Sequence, residues 1–191
     1  MAKSILGDLE RKLSSANSAS KEHDSGGQQV CGDIDMRIAR DGTWFYHGSP
    51  IGRKPLVKLF ASVLRRDAAS DYWLETPAEK CRIRVDDAPF TALEMIVDGV
   101  GREQNLSFRT NVDEIVTADS THPLRITVDP ETGQPAPYIM VRDGLEALIV
   151  RAVYYDLVEL GVEDMQDGTV VLGVWSAGIF FALGDIGRAR G

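Results

Sequence analysis

The feature that most restricts how this sequence can fold is an order of local patterns that occurs twice. A predicted β-hairpin over residues 34–46 precedes a helix, and a second hairpin over residues 124–141 precedes another helix, predicted from about Gly144. The apolar residues of both helices follow the spacing i, i+3, i+4, i+7 and i+8: Leu56, Leu59, Phe60, Val63 and Leu64, then Leu145, Leu148, Ile149, Ala152 and Val153. We therefore predict an internal duplication with a shortened second copy. The alternative is chance, because a hairpin followed by a helix is a common local pattern.

The repeated order predicts an α+β fold of two related halves, each a helix packed on a curved, mostly antiparallel sheet. Further strands are expected in both halves, with alternating or continuous apolar residues at 71–74, 81–85, 91–97, 106–108, 170–175 and 179–183. We assign residues 31–112 to the N-terminal half and residues 113–187 to the C-terminal half. Residues 1–30 are rich in Ser and polar residues, which predicts a tail with one short helix at residues 3–13.

Charge and cysteine content narrow the classes of function. The formal net charge of −8 has the wrong sign for a protein that binds nucleic acid through many phosphates. Cys31 and Cys81 show neither a disulfide framework nor a thiolate metal site, and the start of the chain lacks the apolar run of a signal peptide, so a cytoplasmic location is expected.

One uncharged stretch, residues 169–184, invites a membrane interpretation. It is shorter than the roughly 20 residues that span a bilayer, and Ser176, Ala177 and Gly178 interrupt it with small turn formers. We predict two buried strands joined by a tight turn instead, and no membrane span.

A local reversal of charge marks a candidate anion site. Residues 53–66 contain five cations and no acid, and Pro55 suits the first turn of a helix, whose N-terminus favours anions. In this hypothesis Ser49 and the N–H groups before Pro55 hold a phosphate, and Arg53 and Lys80 neutralise it. The remaining roles go to four residues: Trp44 or Phe90 supports a ring, and Arg109 and Asn111 close a cleft between the halves.

The competing interpretation of this segment is an ordinary one. Gly48 and Gly52 are turn residues, and the helix would simply present a solvated cationic face. The spacing does not match a nucleotide-binding Gly-x-x-x-x-Gly-Lys-Ser/Thr loop, and no Ser or Thr follows Lys54.

Carboxylates provide a second hypothesis, a metal-assisted hydrolase or transferase that uses Asp86, Asp87 or Glu79. The alternative for Asp86 and Asp87 is a turn, because Asp-Asp-Ala-Pro is a common turn sequence. His47 and His122 lack partners at zinc-ligand spacing, and Cys81 alternates with apolar residues as a core residue does. No catalytic motif and no cofactor are indicated.

Six motifs in series resemble the bacterial family catalogued as domain of unknown function 1285, over about residues 32–186. They are Trp44-Phe45, Gly48-Ser49-Pro50-Ile51, Leu56-Val57-Lys58-Leu59-Phe60, Thr76-Pro77 with Glu79-Lys80, Asp86-Asp87-Ala88-Pro89-Phe90, and Arg109-Thr110-Asn111. The long polar tail is not part of this resemblance.

The resemblance implies two related α+β halves, the C-terminal one superficially like a pleckstrin-homology fold. It also implies a cleft between the halves that binds a small, nucleotide-like ligand, with a role in signalling and no established activity. We therefore expect a non-enzymatic sensor or adaptor for an anionic small molecule. A platform for protein partners is the third hypothesis.

Overall fold

Strands dominate both compact units of the chain, Met1–Asp87 and Ala88–Gly191. The computed structural model describes residues 29–129 and 131–188, which contain 15 strands and two α-helices. This composition fits the expected α+β class with more strand than helix. The helix predicted at residues 3–13 and the turn residue Pro130 lie outside the described residues.

The N-terminal unit is one six-stranded sheet and a helix. Its elements are β1 (Gln29–Ile38), β2 (Trp44–Tyr46), β3 (Ser49–Pro50), α1 (Lys54–Ser62), β4 (Leu64–Arg66), β5 (Tyr72–Glu75) and β6 (Glu79–Val85). The strands lie in the order β3-β2-β1-β6-β5-β4, and the one parallel pair described in this sheet joins the first strand to the last. The predicted hairpin of β1 and β2 and the predicted helix start are confirmed.

Alternating apolar residues give this sheet its buried face. Met36 and Ile38 on β1 are buried, and α1 buries Leu56 and Phe60. The Trp44 ring stacks on the Phe60 ring with 6.0 Å between centroids. Because side chains alternate along a strand, the polar residues of β1 lie on the opposite, solvent-facing side.

The C-terminal unit contains a second six-stranded sheet, a helix and a three-stranded sheet. Its elements are β7 (Phe90–Asp98), a 3₁₀ turn (Gly101–Glu103), β8 (Asn105–Thr110), β9 (Ile115–Thr117), β10 (Leu124–Val128), β11 (Pro135–Arg142), β12 (Leu145–Ile149), α2 (Arg151–Glu159), β13 (Val162–Gln166), β14 (Thr169–Ser176) and β15 (Ile179–Arg188). The larger sheet has the order β10-β11-β12-β7-β8-β9 and again pairs its first and last strands in parallel.

The helix predicted from Gly144 is wrong over residues 145–149, which contain three of its five apolar-patterned positions. Leu145, Ala147 and Ile149 are buried on one face of β12, which is paired on both sides, and α2 begins only at Arg151. The apolar residues at 145–149 satisfy both a strand and a helix spacing, and pairing with β11 and β7 decides between them. Similarly, Leu64 lies in β4 rather than in α1.

The division between the units falls earlier than the residue 112 that the sequence indicated. Strands β7 and β8 pair with each other, and β7 pairs with β12 of the second unit. They therefore belong to the second sheet, and the boundary between the compact units along the chain follows Asp87.

The uncharged stretch at residues 169–184 forms the predicted pair of strands. β14 and β15 are antiparallel, and the turn between them places Ala177 and Gly178 at positive φ, 50° and 74°. Among the described residues, no helix combines the length and the apolar character needed to cross a membrane.

The spacing of the two cysteines indicated no disulfide framework, and the structure corrects this. Cys31 on β1 and Cys81 on β6 form a disulfide, with Cα atoms 5.1 Å apart. Their sequence separation of 50 residues hides this contact, because only the parallel pairing of β1 with β6 brings them together. Cys81 is buried, as its alternation with apolar residues predicted.

Candidate ligand-binding groove

The solvent-facing side of β1 and β6 contains a groove of about 730 Å³, which we call the β1–β6 groove. Its charged lining residues are Asp33, Asp35, Asp71, Asp86, Arg82 and Arg84. A smaller pocket of about 110 Å³, the Gly48 pocket, is lined by Asp35, Arg37, Phe45, Gly48 and Arg84. Asp35 and Arg84 line both, so the two spaces adjoin. The larger volume lies within the range of small-molecule sites.

Cross-strand ion pairs form the floor of the groove. Arg82 donates two hydrogen bonds to Asp33, at 2.5 and 2.9 Å, and a longer one of 3.3 Å to Asp71. Arg37 donates to Asp86 at 2.9 Å. Parallel strands are usually covered on both faces. Here one face of the β1–β6 pair is open to solvent, and these ion pairs give that face a polar surface.

Arg82 and Arg84 differ in how far their donors are engaged. The hydrogen bond and charge of Asp33 raise the pKa of Arg82, and the hydrogen bond from Arg82 lowers the pKa of Asp33. The Arg84 side chain is 72% exposed, and its Nη2 atom lies 3.7 Å from Asp35, too far for a hydrogen bond. Arg84 therefore forms only a long ion pair with Asp35, at the junction of the groove and the pocket.

The segment that joins β2 to α1 is a tight hairpin followed directly by a helix. His47 and Gly48 adopt positive φ, 47° and 74°, and Ser49 pairs with Tyr46 across the turn. Arg53 is the N-cap residue of α1 without a side-chain capping bond. Ser49 and Arg53 are both exposed, but they lie apart. The Ile51 amide donates to the Trp44 carbonyl at the far end of the hairpin, so Arg53 lies away from the turn at Gly48.

Lys80 lies elsewhere on the sheet. It pairs with Val30 near the start of β1, whereas Arg84 pairs with Arg37. Four residues of strand separate Lys80 from Arg84, roughly 13 Å at about 3.3 Å per residue. The Lys80 ammonium lies 4.7 Å from the Trp73 ring centroid. The structure therefore does not bring Lys80 to Ser49 and Arg53.

Trp44 and Phe90, the two predicted ring supports, are core residues of their own units. Trp44 is 1% exposed and stacked on Phe60, and its Nε1 atom has no hydrogen-bond partner among the described residues. Phe90 is 0% exposed, and the Arg142 guanidinium lies 5.3 Å from its ring centroid. In this structure neither ring offers an open face to a ligand.

Arg109 and Asn111 make contacts within the second unit. Arg109 donates to Glu94 at 2.6 Å and lies 3.6 Å from Asp113, contacts that raise the pKa of Arg109. The Asn111 side-chain oxygen accepts a 3.2 Å hydrogen bond from the Thr91 amide. Both contacts join β7 to the end of β8, and the predicted closing of a cleft by these residues stays a prediction.

The three carboxylates of the enzyme hypothesis are dispersed. Asp86 is paired with Arg37, and Asp87 lies 3.2 Å from the Nε atom of Arg40. Glu79 is at the opposite end of β6 from these two residues. In the part of the chain that the structure describes, no three His, Cys, Asp or Glu side chains are placed to hold a metal ion.

Sequence reasoning missed the charged residues of the groove. Their alternation with apolar residues is visible at 33–38 and 81–85, where it indicates strands with one polar face. That these two polar faces are adjacent follows from the parallel pairing of β1 with β6, a long-range contact that local spacing does not contain.

Fold and groove together define a class of protein: two mostly β units, the first with a polar groove on the open face of its sheet. The chain belongs to the DUF1285 family. The model of the N-terminal domain of DUF1285, a domain of unknown function, matches residues 27–88. The model of the C-terminal domain of DUF1285, a protein of unknown function, matches residues 89–183. This division agrees with the compact units, and the predicted resemblance is confirmed.

Two crystal structures of DUF1285 family proteins are similar to the chain. The protein from Silicibacter pomeroyi DSS-3 is 47% identical, with a TM-score of 0.78 over 91% of this chain and 95% of that one. The protein from Shewanella baltica OS155 is 26% identical, with a TM-score of 0.53 over 66% of this chain and 92% of that one. No curated protein matches the chain.

Proposed function

We propose that the protein is a non-enzymatic sensor or adaptor whose N-terminal unit binds a small molecule with an anionic group. The Gly48 pocket supports the position of that group. It is lined by two guanidiniums, Arg37 and Arg84, against the single carboxylate of Asp35. Guanidiniums match carboxylate and phosphate oxygens with two parallel N–H donors, which favours such an anion here.

The observation that carries the proposal is the position of Arg84. Arg84 lines both the pocket and the groove, its side chain is largely exposed, and its Nη2 atom lies too far from Asp35 for a short hydrogen bond. An incoming anion would therefore gain charge-assisted hydrogen bonds without first breaking one. Ser49 is exposed directly after Gly48 and extends the polar surface around this position.

The β1–β6 groove would hold the rest of the ligand. Four carboxylates and two guanidiniums line it, together with the Tyr72 side chain. Carboxylates only accept hydrogen bonds, so the groove favours a ligand rich in hydroxyl or amino donors. A nucleotide-like molecule fits this description, with its phosphate at Arg84 and its sugar and base donors toward Asp33 and Asp71.

Thermal stabilisation of the full-length protein by a panel of nucleotides tests the proposal. We expect a member of the panel to raise the Tm of the wild type, and Arg84→Ala to weaken its affinity by about 10- to 100-fold, the loss of charge-assisted hydrogen bonds. Lys58→Ala is the matched control, because it removes an exposed cation of α1 that does not line either space.

Two results would contradict this function. One is a panel of nucleotides, sugar phosphates and organic acids that leaves the Tm unchanged. The other is an Arg84→Ala protein that binds a panel member as tightly as Lys58→Ala does. If Arg84→Lys also lowers the affinity for the panel member, the two parallel N–H donors of the guanidinium, rather than its charge alone, recognise the anion.

The two other functions stay predictions with their own tests. A metal-assisted hydrolase would show turnover with magnesium or manganese that Asp87→Asn removes. A platform for protein partners would bind a partner without any response to small molecules. The ion pairs of Asp86 and Asp87 with arginines favour neither of these over ligand binding.

We also propose that the two units arose by duplication. Each six-stranded sheet consists of two three-stranded antiparallel groups joined by a parallel pair of its first and last strands. The helices differ in place, since α1 follows the third strand of its sheet and α2 follows the sixth. The pleckstrin-homology likeness of the C-terminal half and the arrangement of one helix on each sheet remain parts of this proposal.

A further inference from the structure

The disulfide lies where the pairing of β1 with β6 is interrupted. The register shifts between Val30 and Gly32, on either side of Cys31, and Gly32 adopts a positive φ of 74°. The disulfide thus joins the two strands covalently at a point where the regular ladder does not. Cys31 and Cys81 are the two cysteines of the sequence.

The same bond is close in sequence to the floor of the groove. Cys81 directly precedes Arg82, and Cys31 is two residues before Asp33. Arg82 and Asp33 form the two-hydrogen-bond pair between β6 and β1. A disulfide that holds the start of β1 against β6 therefore also holds the Arg82–Asp33 ion pair in place.

We propose that the Cys31–Cys81 disulfide is a reversible redox clamp, which holds the start of β1 against β6 when oxidised and releases it when reduced. Its partner is a low-molecular-weight thiol–disulfide couple of the glutathione type. The link from this clamp to ligand affinity rests on the proposed function, whereas the clamp itself does not.

The exposure of the two cysteine residues sets the order of the exchange that we propose. Cys31 is exposed and Cys81 is 7% exposed, so a small thiolate reaches Cys31 first. Its attack forms a mixed disulfide at Cys31 and expels the Cys81 thiolate, which takes up a proton. A second thiol then releases Cys31 as a thiol. The protein disulfide gains two electrons and two protons, and two small thiols become one small disulfide.

Reduction removes the covalent tie and leaves weak contacts at the start of β1. Residues 29–31 are exposed, and the Gln29 amide donates a 3.0 Å hydrogen bond to the Ala78 carbonyl. Segments with exposed backbone hydrogen bonds and little apolar burial open at low free-energy cost. We therefore expect local opening of residues 29–34 without unfolding of the unit, whose buried core at Met36, Ile38 and Phe60 is unchanged.

The test combines thiol counting with hydrogen exchange on the full-length protein in two buffers, oxidised and reduced glutathione. Alkylation followed by intact mass measurement should find no free thiol in the first buffer and two in the second. Amides of residues 29–34 should exchange about tenfold faster in the reduced protein. Amides of β8, residues 105–110 in the other unit, should exchange at the same rate in both.

Cys31→Ser provides the control, because its exchange at residues 29–34 should be fast in both buffers and independent of redox state. Thiols that stay free in oxidised glutathione, a bond that resists reduction in the folded protein, or a bond that cycles without changing exchange at residues 29–34 would each overturn the clamp. If the clamp responds as expected but no nucleotide, sugar phosphate or organic acid raises the Tm, the proposed function fails and the clamp stands.

Discussion

The hydroxyl of Ser176, at the end of β14, joins the two sheets of the C-terminal unit through Leu106 on β8. Ser176 Oγ accepts a 2.9 Å hydrogen bond from the Leu106 amide and donates a 2.7 Å bond to the Ala118 carbonyl. Ser176 is 0% exposed. The turn between β14 and β15 is held there as well, since the Ala177 amide donates to the Gln104 carbonyl at 3.0 Å.

Ser176→Ala should lower the free energy of unfolding by about 1–3 kcal/mol, because it leaves a buried amide and a buried carbonyl without their partner. Urea unfolding of the isolated variant measures the change. Ser107→Ala is the matched control: its hydroxyl bonds the Thr117 hydroxyl at 2.7 Å in a half-buried site, and its cost should be smaller. Equal costs for the two variants would show that the buried junction has no special importance.

Gly173→Ala should destabilise the same three-stranded sheet. A Cβ atom at this position would lie 2.6 Å from the Phe181 carbonyl oxygen and in contact with the Phe180 ring. Overpacking of this kind costs about 1–3 kcal/mol, seen as a lower Tm. Gly52→Ala is the control, since a Cβ atom there meets nothing within 4 Å and its Tm should change little. A wild-type Tm for Gly173→Ala would mean that β15 moves freely away from β14.

Asp119 should make stability depend on pH in the acid range. The Thr121 hydroxyl and the amides of His122 and Thr121 donate to its carboxylate and lower the pKa of Asp119 to about 2, against about 4 in an unfolded chain. The unfolded state therefore binds more protons between these values, and the stabilisation is present above about pH 4 and lost as the pH falls toward 2. Asp119→Asn should flatten this part of the Tm profile.

The comparison for Asp119 is Asp98→Asn, which removes an exposed carboxylate at the end of β7. Profiles of wild type and Asp119→Asn that run parallel from pH 5 to pH 2 would contradict the assigned role of the Thr121 contact.

Phe90→Ala should cost about 3–5 kcal/mol of unfolding free energy, because the ring is fully buried and its loss leaves a cavity. Truncating Ile115, 56% exposed on β9, should change stability by less than about 0.5 kcal/mol. Chemical unfolding of the two alanine variants separates a core side chain from a surface side chain. A Phe90→Ala protein as stable as Ile115→Ala would remove the assignment of Phe90 to the core.

Local patterns predicted the strands of this fold well. The β1–β2 hairpin, the start of α1 after Arg53 and the β14–β15 pair follow from alternation, turn residues and Pro55, which act over a few neighbouring residues. The helix predicted at Leu145 failed because the apolar residues at 145–149 fit two periodicities, and only the strands on either side of β12 select one.

The candidate groove was less predictable than the elements that form it. Ser49 and Arg53 were predicted from charge and turn chemistry, and they are not among the lining residues of the groove or the Gly48 pocket. Arg82, Arg84 and Asp33 come together through the pairing of strands that are distant in sequence. The disulfide was missed for the same reason. The sequence does not distinguish Trp44 and Phe90 from exposed aromatic residues. Their burial depends on tertiary contacts, those of Trp44 with Phe60 and of Phe90 with Arg142 among them.

The pairing of first and last strands also determines when each sheet is completed during synthesis. As the chain leaves the ribosome, β1 has β2 beside it but lacks its inner neighbour until β6, ending at Val85, has emerged. Closing so long a segment slows folding, because chain entropy is lost before the contact forms. A nascent chain that ends before Glu79 should therefore leave the inner edge of β1 unprotected, and β7 should wait in the same way for β12.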